Sequence, residues 1–417
     1  MTKHSSLLTA LALAALVHAQ GATEARAQAP VPSPIGPADL DRTQFRASAR
    51  ALGMGGTDLI LFGDASGAAF NPASIAFAGQ GSEANSVVGR TSNVHVSKIN
   101  DLSRGLKDLG NQFNSSNSTL AGVRDAVGKI YSFATDAGAK QDGSPAILSA
   151  SVSPLIGASA GSVGVVAYGG LMAKVEIRPY SQATLGTNFT GLGSPSGAVT
   201  AAYGVLGLTN IAVPFSIKTP AGPVGLAPRY VQASYAGAGF LANETSTLNG
   251  FDPSGAPNGD IAGATYRETN TSKVDLDAGF ISNPDPVYHV RGAVVVHNLF
   301  SPSFHIARRI NSSLGALPAG GDFSFQMKPQ IDLGGRTTGL GVTYAAEVHN
   351  INSVNGGKHT VHLGVEYPLS RVFSLRGGYD ASRFVAGVGV GTPAFRLDLA
   401  TGTNPQEQVA LSLTFAH

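Results

Sequence analysis

Residues 361–367 read Val-His-Leu-Gly-Val-Glu-Tyr, and the alternation in that stretch decides the fold. Val361, Leu363, Val365 and Tyr367 fall on one side of an extended chain; His362, Gly364 and Glu366 fall on the other, because successive strand side chains point to opposite faces. The pattern continues to the C-terminus. Phe373, Leu375 and Tyr379 oppose Ser374, Arg376 and Asp380, Phe395, Leu397 and Leu399 oppose Arg396 and Asp398, and Val409, Leu411, Leu413 and Phe415 oppose Gln408, Ser412 and Thr414. Asn355-Gly356-Gly357, Gly377-Gly378 and Thr403-Asn404-Pro405 read as turns between them. Short turns between successive strands imply an antiparallel meander.

Working upstream, the same period of two appears in 340–348, 288–300, 273–280 and 163–177. In the last two, Lys174, Glu176 and Arg178, and then Asp275 and Asp277, all lie on the face opposite the apolar residues. About a dozen or more strands at this spacing fit an up-and-down barrel. A soluble periplasmic sandwich would also alternate. Two features favour a membrane barrel: charges of both signs share one face, and the aromatics Tyr288, Phe300, Tyr367, Phe373, Tyr379 and Phe415 sit at strand ends, as an interfacial girdle requires. The absence of Trp is unusual for such a girdle.

Composition agrees. Of 417 residues, 53 are Gly and only 13% are charged, against about 7% Gly and about 25% charged in soluble domains. The net charge of +2, with no dense Lys/Arg run, argues against a nucleic-acid partner. With no Cys there is no disulfide framework, no thiolate metal site and no thiol nucleophile. After residue 17 no run approaches the ~18 apolar residues of a membrane helix.

The N-terminus reads as an export signal over 1–27. Lys3 and His4 precede the apolar run Leu7 to Val17, and small-x-small cleavage sites end at Ala19 and Ala27. Residues 28–44, rich in Pro, read as an extended arm, and 45–417 as the barrel domain, with one or two strands in 81–98. Residues 99–135 break the alternation. Ile99, Leu102, Leu106, Leu109 and Phe113, then Leu120, Val123, Val127, Ile130 and Ala134, recur at helical spacing and predict an inserted helical hairpin.

The most specific stretch is Ala49-Arg50-Ala51-Leu52-Gly53-Met54-Gly55-Gly56, followed by Gly63-Asp64-Ala65-Ser66 and Asn71-Pro72-Ala73. Gly53, Gly55 and Gly56 lack the preceding strand and the following Lys-Ser/Thr of a phosphate loop. Read physically, these glycines let backbone pass close to backbone in a crowded lumen. Asn71-Pro72 sets a turn whose exposed amides Asp64 or Asn71 caps. This arrangement resembles the opening of FadL-like outer-membrane barrels, including the PorV type, and most closely the TraF-like proteins of plasmid conjugal transfer. Val274 to Gly279, Val296-His297-Asn298-Leu299, Leu363 to Tyr367 and Leu375 to Tyr379 share the resemblance. It implies an all-β, antiparallel outer-membrane barrel of about 14 strands, with a small helical insertion and an N-terminal lumen segment. The chain ends Phe415-Ala416-His417, without a terminal aromatic.

The candidate residues are therefore structural or lumenal: Gly53, Gly55, Gly56, Asp64, Asn71 and Pro72 as a lumen motif, and Lys174, Glu176, Arg178, Asp275, Asp277, Glu366, Arg376, Arg396 and Asp398 as lumen charges. Asp275 and Asp277 are expected in an ion-pair ladder with Lys174, Arg178, Arg267, Arg376 or Arg396. His359 and His362 face opposite sides of a strand, and His289 and His297 are ~27 Å apart along one. No catalytic residue, metal or cofactor is expected. The chain reads as no enzyme but as a passive channel for small hydrophobic solutes, with lipid around it. The alternative is a non-transporting envelope scaffold that docks conjugation or secretion proteins.

Overall fold

The computed structural model describes residues 48–60, 65–92, 146–180, 198–243, 262–267, 271–306, 308–309, 323–355, 357–381, 383–392, 394–402 and 407–416. The export signal, the arm and the helical hairpin at 99–135 lie outside the described residues, as does Asp64.

Two short helices, α1 (Ala49–Gly53) and α2 (Gly67–Phe70), and a 3-10 helix (Pro72–Phe77) precede the strands. The strands are β1 (Gln80–Ser92), β2 (Ala146–Ala160), β3 (Val163–Tyr180), β4 (Ala198–Ala212), β5 (Phe215–Thr219), β6 (Gly222–Asn243), β7 (Ala262–Arg267), β8 (Thr271–Ile281), β9 (Arg291–His297) and β10 (Ser303–Ile306). They continue as β11 (Arg308–Arg309), β12 (Phe323–Gln326), β13 (Gln330–Gly339), β14 (Val342–His349), β15 (Thr360–Pro368), β16 (Phe373–Asp380), β17 (Arg383–Thr392), β18 (Phe395–Gly402) and β19 (Glu407–Ala416). Among the described residues every pairing is antiparallel, and β19 returns to pair with β1 from Gly81↔Ala416 to Arg90↔Glu407. The sheet is therefore a closed barrel.

Several strands are segments of one stave. β4 and β5 both pair with β6 and are parted by Val213-Pro214, where Pro has no N–H to offer the ladder. β7 and β8 also share β6. β9 continues into β10 and β11, and β12 into β13, with β10 and β12 forming their own two-stranded ladder. The wall thus has fourteen staves, as expected.

The two ends differ. At the end where β1 begins and β19 finishes, connections are short: 161–162, 220–221, 282–290, 340–341, 369–372 and 393–394. At the other end lie 93–145, 181–197, 244–261 and 310–322. In the turn 282–290 the Asp285 carboxylate accepts from the amides of Val287 (2.9 Å) and Tyr288 (2.8 Å), which holds it below the usual carboxylate range.

Burial is the reverse of a soluble protein's. Outward positions are large, apolar and exposed (Ile156 67%, Val274 64%, Phe384 79%), while inward Asp275 and Asp398 are wholly buried. Aromatic pairs mark both rims, Tyr379–Phe384 near one and Phe395–Phe415 near the other. No described helix is long and apolar enough to cross a membrane.

One turn assignment is corrected. Gly377-Gly378 is not a turn but the middle of β16; the reversal comes after Asp380. Gly378 is there because of what lies inside the barrel: a Cβ on it would meet the Gly55 amide at 2.4 Å, whereas one on Gly377 would meet nothing.

Candidate functional site: a plugged lumen

Residues 48–60 and 65–78 lie inside the lumen as a plug. Ser48 caps α1 by accepting the Ala51 amide (3.1 Å), which fixes a helix too short to form alone. Ala49, Ala51 and Leu52 pack on Val385, Ala400 and Ala410 of the inner wall. Arg50 makes a forked pair with Glu366, Nε at 3.0 Å and Nη2 at 2.8 Å.

Beyond α1 the chain runs directly over β15 and β16. Gly55 adopts φ +77, and a Cβ there would meet the Leu363 carbonyl at 2.1 Å. The wall reciprocates: a Cβ on Gly364 would lie 2.2 Å from the Met54 carbonyl oxygen, and one on Gly378 2.4 Å from the Gly55 amide. Glycines on the plug thus rest on glycines of the wall: Gly53 on Gly387 and Gly55 on the β15–β16 backbone, whereas Gly56 faces the side chains of His362 and Asp380.

Further on, the amides of Asp58 and Leu59 donate to the two oxygens of Glu347, each at 3.0 Å. Arg336 donates to the Ile60 carbonyl (2.9 Å), and the Ser66 amide to Glu83 (2.8 Å). Of the two residues expected to cap this turn, Asn71 does so, and Asp64 lies outside the described residues. Its Oδ1 accepts from Ala73 N (3.0 Å), its Nδ2 donates to the Leu59 carbonyl (2.9 Å), and Pro72 opens the 3-10 helix. Leu59, Phe70 and Ile75 then fill the inner wall against Leu155, Val166, Ile281 and Val295.

The lumen charges sort into groups. Lys174 pairs with Glu176 at 2.8 Å. Arg376 bridges Glu366 (2.6 Å) and Asp398 (2.7 Å), and Arg396 joins Asp398 at 2.7 Å. With Arg50 these form one network tying plug to wall. The ladder expected at Asp275 and Asp277 is corrected: their partner is Arg229, directly opposite Asp275 in the β6–β8 register, and not Lys174, Arg376 or Arg396. The side chains of Arg178 and Arg267 lie outside the described set. Arg229 also reaches Asn298 and, at 3.3 Å, Asn210.

From Arg229 a belt of contacts runs along the wall. Asp277 meets His297 (3.1 Å), His297 faces Asp332 (3.6 Å), and Asp332 faces His349 (4.0 Å). His349 touches Glu347 (2.8 Å) and stacks beside His362, which reaches Asp380 at 3.2 Å; Asp380 pairs with Arg383. Sequence reading had dismissed His362 with His359 and had not considered His349.

A second lumen region is apolar. Met172, Leu206, Leu208, Val231 and Tyr235 line the inner face of β3, β4 and β6, and the β10–β12 ladder brings Phe304, Phe325 and Met327 onto them. Phe304 and Phe325 stack with centroids 5.1 Å apart. Gly157-Ala158-Ser159-Ala160-Gly161 has the spacing of a hydrolase nucleophile elbow, which the sequence reading overlooked. The structure places it at the end of β2 with β1 and β3 on either side, not at a strand-to-helix turn.

Fold and interior together define a plugged β-barrel, apolar outside and charged within. No protein-family profile matches the chain, and no curated protein matches it. Among solved structures it is similar to the deltaS2S3 mutant of the TodX monoaromatic hydrocarbon channel, with TM-score 0.48 and 12% identity over 90% of this chain and 100% of that one. It is also similar to the Pseudomonas putida toluene transporter TodX (0.44, 13%, 89% and 98%) and to a Pseudomonas aeruginosa FadL homologue (0.41, 13%, 90% and 98%). The likeness is distant.

Proposed function

We propose that the protein is an outer-membrane channel for small apolar solutes and not an enzyme, exported by residues 1–27 and surrounded by lipid. The observation that carries this reading is the apolar cluster inside the lumen. Elsewhere the described inner wall carries many charges, so an apolar solute entering from the long-loop end partitions to Met172, Leu208, Phe304 and Phe325. A break in the wall ladder lies nearby. The β2–β3 ladder stops after Val152↔Leu171 and resumes at Leu155↔Tyr168 in the same register, leaving Ser153-Pro154 opposite Gly169-Gly170 unpaired. Pro154 has no amide hydrogen, and the two glycines have no side chains to fill the gap. The alternative of a docking scaffold has its sequence support at 99–135, outside the described residues.

The test is uptake of naphthalene by vesicles carrying the full-length protein. Phe304→Asp should lower it about tenfold, the effect of losing one apolar contact face of ~1.5 kcal/mol, with a sugar-sized polar tracer unaffected. Wild-type vesicles no more permeable to naphthalene than empty ones would refute the channel.

Membrane placement has its own check. Leu399 lies mid-strand on the outward face. Leu399→Arg should destabilise vesicle-embedded protein by about 2–4 kcal/mol in a urea titration. An unchanged midpoint would mean that this face does not meet lipid.

A further inference from the structure

We propose that the lumen binds a divalent transition-metal cation between plug and wall, with Asp58, Glu347 and His349 as its protein ligands. Asp58 is buried, and neither of its carboxylate oxygens has a hydrogen-bond partner. Buried polar atoms are rarely left unsatisfied, and a carboxylate is the costliest to leave so. Glu347 and His349 stand two apart on β14 and project to the same inner side. His349 Nε2 lies 2.8 Å from Glu347 Oε2 and 3.9 Å from Asp58 Oδ1. One donor atom from each of the three residues falls within 4.8 Å of the others.

The charge count points the same way. Asp58 and Glu347 flank one edge of the His349 ring, and Asp332 faces its Nδ1 at 4.0 Å. Three acids around one imidazole leave an excess of negative charge that a dication balances. One imidazole nitrogen and two carboxylate oxygens, with water completing the shell, suit zinc and its first-row neighbours. Calcium calls for six to eight oxygens. Asp332 lies 4.0 Å from the ring's other nitrogen, too far for a direct hydrogen bond, and contributes charge rather than a ligand. His362 is not a ligand: its Nδ1 lies 2.8 Å from the Gly55 carbonyl and its Nε2 2.9 Å from Thr360. Because Asp58 belongs to the plug and the other two ligands to the wall, the cation is a clamp. It does not depend on what the barrel transports.

The experiment uses full-length protein in detergent, stripped with EDTA and dialysed separately against Zn2+, Mn2+ and Ca2+, with bound metal measured by mass spectrometry. The expected result is one Zn2+ per chain. Asp58→Asn and His349→Gln should each weaken retention at least about tenfold. His305→Gln, on exposed β10, should change nothing. Unchanged heat-modifiable gel migration shows that each variant still closes its barrel. Stripped wild type that takes up no stoichiometric Zn2+ overturns the site whatever the variants do. So does Zn2+ retained in full by the Asp58→Asn/His349→Gln pair, or a zinc absorption-edge spectrum of the wild type without an imidazole nitrogen.

Discussion

Gly378→Val should expel the N-terminal segment from the lumen while leaving the barrel closed. The added side chain meets plug backbone, the Gly55 amide at 2.4 Å and the Met54 carbonyl carbon at 2.6 Å, so no side-chain rotation relieves it; the Leu363 carbonyl of β15, at 2.5 Å, must also shift. Gly364→Val adds a second obstruction against the Met54 carbonyl. The strands bearing these residues are held by ladders on both edges, from β14 through to β17, whereas the plug is held by scattered contacts. The plug therefore yields first. Overpacking costs about 1–3 kcal/mol, and with rigid backbone on both sides we expect the upper end, an opening about a hundredfold more frequent. Arg50 reports it: buried in its pair with Glu366, it is shielded from trypsin until the plug leaves. Cleavage after Arg50 should accelerate by that factor with gel migration of the folded form intact. Unchanged trypsin resistance in a closed barrel would show that the glycine contact does not hold the plug.

Arg229→Met should bring the largest loss of stability. Arg229 is the guanidinium facing both Asp275 and Asp277, whose side chains are 0% and 2% exposed. Without it, two carboxylates stand close together in the interior. Asp277 keeps His297 and the Asn298 amide, and Asp275 keeps the Phe300 amide. Removing one partner of a buried pair costs about 3–5 kcal/mol. Urea unfolding in vesicles measures this, and Arg229→Met/Asp275→Asn should recover part of it by removing one of the stranded charges. Arg229→Lys should fall between, because a single ammonium does not span Asp275, Asp277 and Asn298 as the fork does. A loss below about 1 kcal/mol for Arg229→Met, in the range of an exposed pair, would mean that water enters this part of the lumen.

Much of the architecture was legible because a membrane-type barrel writes its two environments into every second residue. Val361 to Tyr367, Phe395 to Leu399 and Val409 to Phe415 face as the alternation required, and Asp398, Asp275 and Asp277 are inside. The close approach at Gly53 and Gly55, and the cap at Asn71, were also readable, since backbone clearance and Asx geometry are local matters. Four things were not. Gly377-Gly378 looks like a turn because the plug's demand for space at Gly378 is set by residues more than 300 positions away. Arg229 finds Asp275 through the β6–β8 register, which no spacing encodes. Asp58 and His349 likewise meet only after the barrel has closed around the plug. The helix α1 was missed because five residues carry too little periodicity, although Ser48 ahead of Ala49 is a capping signal.

The seam between β1 and β19 has a bearing on the order of assembly. The ladder that closes the wall joins the first strand to the last, so no ring exists until residues 407–416 have arrived. The segment that fills the ring lies just upstream of β1, joined to it through Ala78-Gly79 and pinned near the junction by Ser66 on Glu83. Its contacts are split between early strands (Leu155, Val166) and late ones (Val385, Ala400, Ala410). The one filling thus touches both sides of the seam that the last strand closes.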